Sequence, residues 1–354
     1  MDVQHPARSP AARIGQLTFV TIVGGGLCGL SLAHALMANG HDVQVLEGRD
    51  RIGGRILTKG GMDLGPAWIW PGQPRIAALL DRLGLAAFEQ YSTGDMLYED
   101  VTGQVQRVRG RSGMEGALRI AGGLGAVTGA LAEALPDGTL RTRHRVRRIE
   151  TGGATLHLLT DDDAIEAERC VLALPPRLAA DLLPDLAPDL LADMRAVPTW
   201  MAGHAKAVAV YERPFWQEAG LSGDAFSRRG PMVEVHDAST PDGPGALFGF
   251  LGVPPAARQD RSALRTAVLD QFTRLFGPQA AQPVDVHLQD WATEPFTATE
   301  ADHAPLHAHP RYGPLPDPIP ERLLIAGTEM AQMHGGLVEG ALEAAEAAAA
   351  RLTE

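Results

Sequence analysis

The residues with the clearest chemical meaning lie near the start of the chain. Gly24, Gly26 and Gly29 form the pattern G-x-G-x-x-G, and the acid Glu47 ends the apolar run that follows. Glycines at this spacing permit a tight turn, a close approach of backbone to a diphosphate, and close packing of helix on strand. A helix N-terminus at the turn offers unpaired N–H groups to the anion, and the carboxylate can accept hydrogen bonds from a ribose diol. The pattern predicts a dinucleotide site, with a plain strand–turn–helix unit as the alternative.

The elements that must position these residues can be predicted from the hydrophobic pattern. Phe19–Val23 is a short apolar run typical of a buried strand, and Leu27–Asn39 has the apolar spacing of a helix. Gly40 follows as a helix C-cap glycine, and His41–Glu47 predicts a second strand. The stretch is therefore predicted to be a βαβ unit with the glycines in its first turn.

A second strand that leads through glycines into a helix is predicted at the other end of the chain. Leu323–Ala326 predicts a buried strand, and Gly336–Leu352 predicts an alanine-rich helix after a glycine pair. This arrangement can deliver further backbone N–H groups to a ligand. The nucleotide-binding domain is therefore expected to be assembled from both chain ends, with a substrate domain between them.

The predicted fold class is α/β, with a Rossmann-like domain joined to an α+β domain that is built on a mixed or antiparallel sheet. Strands are predicted at Leu140–Glu150, 154–160, 170–174, 206–211, 232–236, 246–251 and 284–291, and a helix at Arg261–Phe276. The predicted division is a disordered leader at 1–16, a nucleotide-binding domain at 17–75, 115–180 and 320–354, and a substrate domain at 76–114 and 181–319.

Composition limits the classes of function. The 354 residues are 45% hydrophobic and 21% charged, which predicts a globular protein of about two domains. The formal net charge of −12 disfavours nucleic acid as a partner, and the basic run Arg141–Arg148 is interpreted as a strand with one solvated face. No apolar window is long enough to predict a transmembrane helix, and the leader lacks the apolar region of a secretory signal.

The sequence contains two cysteines, Cys28 and Cys170, which fit a reducing compartment and hence a cytoplasmic location. Without C-x-x-C spacing, both are interpreted as small buried residues and not as a redox pair.

Several separated stretches together resemble the flavin-containing amine oxidase superfamily, which includes monoamine oxidases, polyamine oxidases and related amino-acid oxidases. They span most of the chain in the order found in the family. The stretches are VGGGLCGLSLAHAL with LEGRDRIGGR, DLGPAWIWPGQ, IAGGLGAVTGALAEAL, HAKAVAVYERPFW and LLIAGTEMAQMHGGLVEGALEAAEAAA.

This resemblance implies FAD as the cofactor, a Rossmann-like FAD domain of the GR2 type, and a set of cofactor-binding positions. Glu47 is implied to hold the adenosine ribose, the Val146 backbone to meet the adenine, and Glu329 to lie near the ribityl chain. For Arg49 and Arg55 the alternative to contact with the nucleotide is solvation at the surface. The implied FAD-binding residues are Gly24, Gly26, Leu27, Cys28, Gly29, Glu47, Gly48, Arg49, Gly53, Gly54, Arg55, Val146, Gly327, Glu329, Gly336, Leu337 and Val338.

Lys206 is the implied catalytic residue. On a predicted strand it shares a face with Val208 and Val210. The resemblance implies that its ammonium holds a water at flavin N5, where a cation favours negative charge on the reduced ring. The alternative is a lysine that extends to solvent from a sheet edge.

The sequence departs from the family in three places. No cysteine follows Cys170, so the FAD is predicted to be non-covalent. The tyrosine pair of the monoamine oxidase subgroup matches Leu337 and falls near Ala301, and neither is aromatic. The region between Trp70 and Ile120 is short, which predicts a reduced lid, as in compact flavoproteins such as renalase.

Substrate-pocket residues are predicted from the remaining aromatic positions. Trp68 and Trp70 lie on one side of an extended segment, and Trp68 could equally belong to the core. Trp216 is a further aromatic candidate for the pocket. The predicted pocket residues are Trp68, Trp70, Trp200, Phe296 and Leu337. His303, His307 and His309 lack accompanying acids or cysteines, so no metal is predicted, and the loop is interpreted as solvated or as a substrate entry.

The predicted function is that of an FAD-dependent oxidase that takes a hydride from the C–N bond of a small amine and reoxidises with O2 to give H2O2. A monomer or homodimer is expected, with no nucleic-acid or membrane partner. The alternatives are a dehydrogenase or desaturase, a renalase-like oxidase of a non-amine substrate, and a flavoprotein without turnover.

Overall fold

A computed structural model describes residues 19–109, 112–241, 243–304, 306 and 308–353, so the predicted leader lies outside the described residues. In this range the strands are β1 Phe19–Val23, β2 Asp42–Leu46, β3 Thr58–Lys59, β4 Met62–Asp63, β5 Ala87–Glu89, β6 Asp95–Glu99, β7 Val105–Val108, β8 Leu118–Ile120, β9 Leu140–Arg141, β10 Val146–Glu150, β11 Leu156–Thr160, β12 Ala164–Ala167, β13 Arg169–Ala173, β14 Ala205–Tyr211, β15 Leu221–Ser227, β16 Met232–Asp237, β17 Gly245–Leu251, β18 Asp285–Asp290 and β19 Leu323–Ala326.

Helices alternate with these strands, and short 3₁₀ turns lie at 255–258, 278–281, 291–293, 300–302 and 328–330. None of the helices in the described ranges is long and apolar enough to cross a membrane. The α-helices are α1 Leu27–Ala38, α2 Pro74–Leu83, α3 Gly125–Glu133, α4 Pro176–Asp181, α5 Pro188–Ala196, α6 Phe215–Glu218, α7 Arg261–Phe276 and α8 Val338–Thr353.

A five-stranded parallel sheet joins the two ends of the chain. Its strand order is β19-β13-β1-β2-β9, so the last strand of the chain lies two places from the first. Helices α1 and α8 pack against each other beside this sheet, and their apolar residues enter one core with β1, β13 and β19. The predicted α/β class, with a nucleotide-type sheet built from both ends, is confirmed.

A seven-stranded mixed sheet follows, in the order β18-β14-β17-β16-β15-β6-β7. All neighbours are antiparallel except the β15–β6 pair. Helix α7 covers one face, where Val268 and Phe272 are fully buried. The opposite face packs Val208, Val210 and Phe248 against the hairpin β3–β4 and the segment after it.

The strand predicted over Leu140–Glu150 is wrong as a single element. The chain forms β9, turns through residues 142–145, and resumes as β10. In that turn Arg143 adopts φ 59°, and its N–H donates to the Arg49 carbonyl at 2.7 Å. The turn therefore joins the loop after β2, a tertiary contact that the alternating pattern does not contain. Strands β12 and β15 and helix α4 were not predicted.

Most of α2 and all of α5 lie in segments predicted to belong to the substrate domain. Ile76 and Leu79 of α2, and Leu191 and Met194 of α5, nevertheless enter the core of the five-stranded sheet. Glu339 of α8 also accepts the N–H groups of residues 75 and 76 at the start of α2. The domain boundaries stay a prediction.

The first turn of α1 generates a stability prediction. A Cβ at Gly29 would collide with the Gly24 carbonyl oxygen, whereas a Cβ at Gly129 in α3 would meet nothing within 4 Å. Gly29→Ala is expected to lower the free energy of unfolding by about 1–3 kcal/mol through overpacking. Gly129→Ala is expected to raise it by about 0.5–1 kcal/mol, because alanine is the better helix former. Denaturant unfolding measures both, and a Gly29→Ala protein as stable as wild type would contradict the close packing.

Candidate functional site

One large cavity runs from the glycine turn before α1 to the face of β14. Its walls come from both sheets, from the hairpin segment after β4 and from the segment that leads into α8. The predicted residues that line it are Gly24, Gly26, Leu27, Cys28, Glu47, Arg49, Gly53, Gly54, Arg55, Trp68, Trp70, Trp200, Lys206, Phe296, Gly327, Gly336, Leu337 and Val338.

Glu47 marks the nucleotide end of this cavity. Its side chain accepts the Gly25 N–H at 2.9 Å and the Arg49 N–H at 2.8 Å. It lies at the end of β2, beside the glycine turn after β1, because the two strands pair in parallel register. The carboxylate therefore shapes the glycine turn as well as lining the cavity.

The start of α1 is open to an anion. No side chain caps the helix at Gly26, and its first turn contains no acidic residue. A Cβ at Gly26 would find Gly54 Cα at 3.8 Å and no closer atom, so this glycine borders open space. Free N–H groups beside a glycine lining are what a bound diphosphate requires, and the residues present therefore fit FAD.

Arg49 joins the nucleotide end of the cavity to the segment that follows β18. It donates to Glu294 at 3.3 Å and to Thr297 at 2.9 Å, and its side chain is 9% exposed. The surface-solvation alternative for Arg49 is therefore wrong. The guanidinium carbons of Arg49 and Arg145 lie 5.1 and 5.3 Å from the ring centre of Phe296.

The prediction of Phe296 as a substrate-pocket residue needs correction. A Cβ at Gly48 would touch its ring at 2.8 Å, so the ring borders the Glu47 end of the cavity. The segment after β18 crosses back to the nucleotide side, which the linear sequence does not reveal.

Arg55 is neutralised by a buried acid. Its two terminal nitrogens donate to Glu329 at 2.6 and 3.1 Å, and Glu329 is fully buried. This carboxylate raises the pKa of Arg55 against the opposing effect of burial. The pair joins the segment after the glycine turn to the segment before α8, so both ends of the chain are held together at the cavity.

Lys206 reaches the cavity from the middle of a sheet. Strand β14 is flanked by β17 and β18, and Lys206 is 3% exposed, so the sheet-edge alternative is wrong. Its ammonium donates to the carbonyls of Gly65 at 2.8 Å and Asp63 at 3.2 Å, and lies 4.3 Å from the Phe248 ring centre. Val208 and Val210 share its packed face, as predicted from the strand period.

Burial dominates the electrostatics of Lys206 and lowers its pKa from 10.5 to about 7. The Asp63 carboxylate opposes this shift and the nearby Arg119 adds to it. Asp63 itself accepts the Leu124 N–H at 3.0 Å and is 4% exposed, and burial raises its pKa. The local sequence did not reveal this buried acid, because it comes from the β3–β4 hairpin.

The far arm of the cavity is lined by aromatic side chains. Trp68 lines it while also packing on Phe248, with ring centres 5.1 Å apart, so its predicted roles in wall and core are both present. Its Nε1 donates to Gln90 at 2.9 Å. Trp216 does not take part: it is fully buried and donates to Asp237, so its candidacy for the pocket is wrong.

The turn Thr199–His204 contributes lining residues that the sequence did not predict. Met201, Ala202 and His204 line the arm together with the predicted Trp200. Trp291 also lines it and donates to the Leu64 carbonyl at 2.9 Å. The strand period could have identified His204, which lies two residues before Lys206.

Four predicted cofactor residues are not among those that line the cavity. Gly29 packs under Gly24, Gly48 lies against Phe296, Val146 opens β10, and Glu329 lies behind Arg55. Their contacts with the cofactor stay predictions.

The histidine-rich loop gathers no metal cluster in its described part. Within the ranges given above, no group of three His, Cys, Asp or Glu residues could hold a metal ion. His303 lies 3.1 Å from the Ala292 carbonyl, and the His309 ring lies 4.8 Å from that of Trp200. His307 lies outside the described residues.

The sequence matches the profile of a known family. The profile described as flavin containing amine oxidoreductase covers residues 27–111 and 93–353. A putative flavin-containing monoamine oxidase of Mycobacterium tuberculosis is 28% identical over 444 aligned residues, with 94% of this chain and 96% of the relative covered. Putrescine oxidase of Kocuria rosea is 24% identical, with 92% and 94% covered.

Solved structures share the fold. Putrescine oxidase bound to putrescine superposes with a TM-score of 0.78 at 24% identity, covering 94% of this chain and 98% of that chain. Cyclohexylamine oxidase from Brevibacterium oxydans gives 0.78 at 22% identity, with 95% and 98% covered. A putative protoporphyrinogen oxidase from Exiguobacterium gives 0.71 at 15% identity, with the same coverage.

The Glu47 contacts generate a prediction for cofactor affinity. Glu47→Ala is expected to weaken FAD binding by about 1–3 kcal/mol, because it removes the carboxylate that is predicted to bind the ribose and that accepts two backbone N–H groups. The measurement is the flavin released on serial dilution, with far-UV circular dichroism as the control for folding. A folded variant that keeps its flavin to the same dilution as wild type would exclude the ribose contact.

Proposed function

The chain belongs to the family of flavin-containing amine oxidoreductases, and on this premise we propose that it is an oxidase that uses dioxygen to oxidise the C–N bond of an amine. Its cofactor is FAD and its activity is FAD-dependent amine oxidation. In the proposed reaction the amine loses two electrons and two protons and becomes an imine, while dioxygen gains them and becomes hydrogen peroxide.

The main support for this proposal is that one cavity includes both the nucleotide end and an aromatic arm. Its nucleotide end is built on the glycine turn and Glu47, and its far arm is lined by Trp68 and Trp200. Lys206 lines the same cavity, and its ammonium lies 5.3 Å from the ring centre of Phe250, which also lines it. A flavin that extends from the nucleotide end would present its ring between the lysine and the aromatic arm.

FAD, when bound, supplies the two-electron acceptor for this chemistry. The protein would hold the diphosphate at the start of α1 and the ribose at Glu47. The proposed role of Lys206 is to hold a water beside the ring and to favour negative charge there when its side chain is protonated. The aromatic arm excludes water and orients the amine, which strengthens each electrostatic contact at the reacting atoms.

The competing functions differ in what reduces and what reoxidises the bound flavin. Anaerobic titration with a panel of amines should bleach the visible flavin spectrum, and NAD(P)H should not. Admission of dioxygen should restore the spectrum and release peroxide. Reduction by NAD(P)H or by non-amine compounds alone would favour a renalase-like oxidase or a dehydrogenase. A flavin that no substrate class reduces would favour a protein without turnover.

Non-covalent binding of FAD is a separate expectation. The sequence contains two cysteines, Cys28 and Cys170, and both thiols are buried. Cys28 lines the cavity, but burial raises its thiol pKa to about 12, so little of the reactive thiolate forms at neutral pH. Acid precipitation should leave the yellow colour in the supernatant, and colour retained in the pellet would contradict this expectation.

Lys206 gives reoxidation a predicted pH dependence. Because its pKa is lowered to about 7, the ammonium is present below that pH and is lost as the pH rises through it. The rate of reoxidation by O2 should therefore fall as the pH rises from 6 to 9. The substitution Lys206→Met keeps the bulk of the side chain and removes its charge. The reduced flavin of this variant should reoxidise about 30–150-fold more slowly at pH 6, and its rate should show no step near pH 7.

Stopped-flow reoxidation of photoreduced protein measures both effects and needs no known substrate. Flavin content and the visible spectrum of the variant serve as controls for an intact site. Wild type and Lys206→Met with the same rates and the same pH profile would remove Lys206 from the mechanism. Loss of flavin in the variant would assign it a structural role.

A further inference from the structure

We propose that His204 is the base that takes the proton from the ammonium group of the bound amine. The inference rests on the proposed amine oxidation and adds to it a catalytic residue that is separate from Lys206. Three observations carry it: the place of His204 in the cavity wall, the absence of a hydrogen-bond partner for its ring within the described residues, and the engagement of the other titratable groups in the wall.

Amine oxidation requires the free amine. A primary aliphatic amine is protonated at neutral pH, because its pKa is like that of a lysine side chain, about 10.4. The neighbouring carbon can release a hydride only when the lone pair of the nitrogen is available, and in the ammonium that pair is held in an N–H bond. The site must therefore remove one proton from the substrate before the two electrons can leave.

His204 belongs to a continuous stretch of the cavity wall, which consists of Trp200, Met201, Ala202, His204, Ala205 and Lys206. The His204 carbonyl accepts the Trp291 N–H at 3.0 Å, and this bond continues the pairing of β14 with β18 by one residue. Side chains two residues apart on a strand share a face and lie about 7 Å apart. His204 and Lys206 are therefore neighbours on the face that borders the cavity.

The ring of His204 is free to accept a proton. Its backbone N–H donates to the Met201 carbonyl, but neither ring nitrogen has a hydrogen-bond partner within residues 19–109, 112–241, 243–304, 306 and 308–353. In contrast, the buried ring of His236 is held between Asp224 at 2.8 Å and Glu234 at 2.7 Å. A free lone pair in the wall of a substrate cavity is what a general base requires.

The groups around His204 keep its imidazole neutral. Arg258, in the 3₁₀ turn at 255–258, donates to the Gly203 carbonyl at 3.0 Å and to Asp290 of β18 at 2.9 Å. The nearest titratable group on its own strand is a second cation, Lys206, and the paired residues of β17 are apolar. Burial and Arg258 lower the pKa of His204, so the ring can receive a proton at neutral pH.

The other titratable side chains among the described lining residues are engaged or have the wrong charge. Glu47 accepts two backbone N–H groups at the nucleotide end, and the two arginines of the wall are cations paired with acids. Burial raises the pKa of the Cys28 thiol to about 12, so it is not a base at neutral pH. Lys206 donates to two carbonyls and has no lone pair while it is protonated.

In the proposed step an N–H bond of the ammonium breaks, its proton moves to a ring nitrogen of His204, and the bonding pair stays on the amine nitrogen. The two electrons leave the substrate afterwards, with the hydride. An imidazolium is about four pKa units more acidic than an alkylammonium, so the transfer is uphill but has a ceiling of about 10⁸ per second. Transfer to a water molecule is far slower, because hydronium is a much stronger acid than imidazolium. The imidazolium returns its proton to water when the imine leaves.

The test compares flavin reduction at two pH values. Flavin-loaded wild type and the variant His204→Gln are mixed anaerobically with hexylamine, benzylamine or 1,4-diaminobutane in a stopped-flow instrument, with a jump to pH 7 or pH 10 on mixing. Glutamine keeps hydrogen-bonding groups but takes no proton. At pH 7 the variant should reduce its flavin about 100-fold or more slowly than wild type. At pH 10 the two rates should agree within about threefold, because much of the amine enters as the free base.

Two further variants complete the comparison. His287 lies on β18 and is not among the residues that line the cavity, so His287→Gln should behave as wild type at both pH values. His204→Ala should repeat the pH course of His204→Gln, and it replaces that variant if glutamine prevents folding or flavin binding. Free imidazole added at pH 7 should restore the rate of His204→Ala, whereas it cannot replace a purely structural contact.

A second measurement does not depend on turnover. In protein labelled at the Cε1 carbon of histidine, the NMR signal that is missing from His204→Gln belongs to His204, and its titration reports the charge of the ring. The ring should be neutral at pH 7. A ring that is protonated at pH 7 cannot accept the proton and would overturn the proposal.

The kinetic outcomes separate this inference from the proposed function. Equal rates of wild type and His204→Gln at pH 7 overturn the role of His204 and leave amine oxidation standing, with Lys206 as the remaining acceptor. A loss of rate that is as large at pH 10 as at pH 7 assigns His204 a structural role instead. A flavin that none of the three amines reduces at either pH, but that light reduces normally, refutes the proposed function and this inference with it.

Discussion

The site depends on the contact between the backbone of Gly29 and the carbonyl of Gly24, at the point where β1 turns into α1. A side chain at Gly29 would collide with that carbonyl, and a side chain at Gly24 would lie 2.6 Å from the carbonyl of Ala173 in β13. The contact lets α1 begin directly above the ends of the parallel strands. Its free N–H groups, the acid at the end of β2 and the segment after β19 then converge on one cavity, because each follows a strand of the same parallel sheet.

The sequence was most informative where one local rule determines structure. Phe19–Val23, Arg261–Phe276 and Leu323–Ala326 have the predicted bounds, because apolar periodicity alone defines these buried elements. The shared face of Lys206 and Val208 followed from the strand period in the same way.

Features imposed by distant residues could not be predicted. Met201 has a left-handed φ of 59° and follows Thr199 and Trp200, whose N–H groups bind the distant Asp302 and Tyr312, and nothing in the sequence around Met201 indicates this conformation. Phe296 was assigned to the wrong end of the cavity for the same reason, since its position depends on how the chain returns after β18. His204 was missed because the predicted strand began at Lys206.

The chain forms this site with fewer residues than the mycobacterial relative has. Its alignment with the mycobacterial relative runs over 444 positions, 90 more than the 354 residues present here, so at least that many positions of the relative have no counterpart. The aromatic arm of the cavity is built from a short turn, one strand face and the segment near Trp68 that follows the β3–β4 hairpin. Residues that border the arm therefore serve the core as well, as Trp68 does by packing on Phe248.

The edge strand β19 has a consequence for biosynthesis. It pairs with β13 across about 150 residues of intervening chain, and the buried Glu329 that neutralises Arg55 follows it directly. Pairing at such sequence separation is slow, and it cannot begin before the last strand has left the ribosome. The nascent chain must therefore keep the edge of β13 and the surface for α8 unpartnered until β19 and α8 have been synthesised. Completion of the cavity is then a late event, because residues after β19, among them Gly327, Gly336 and Val338, form part of its wall.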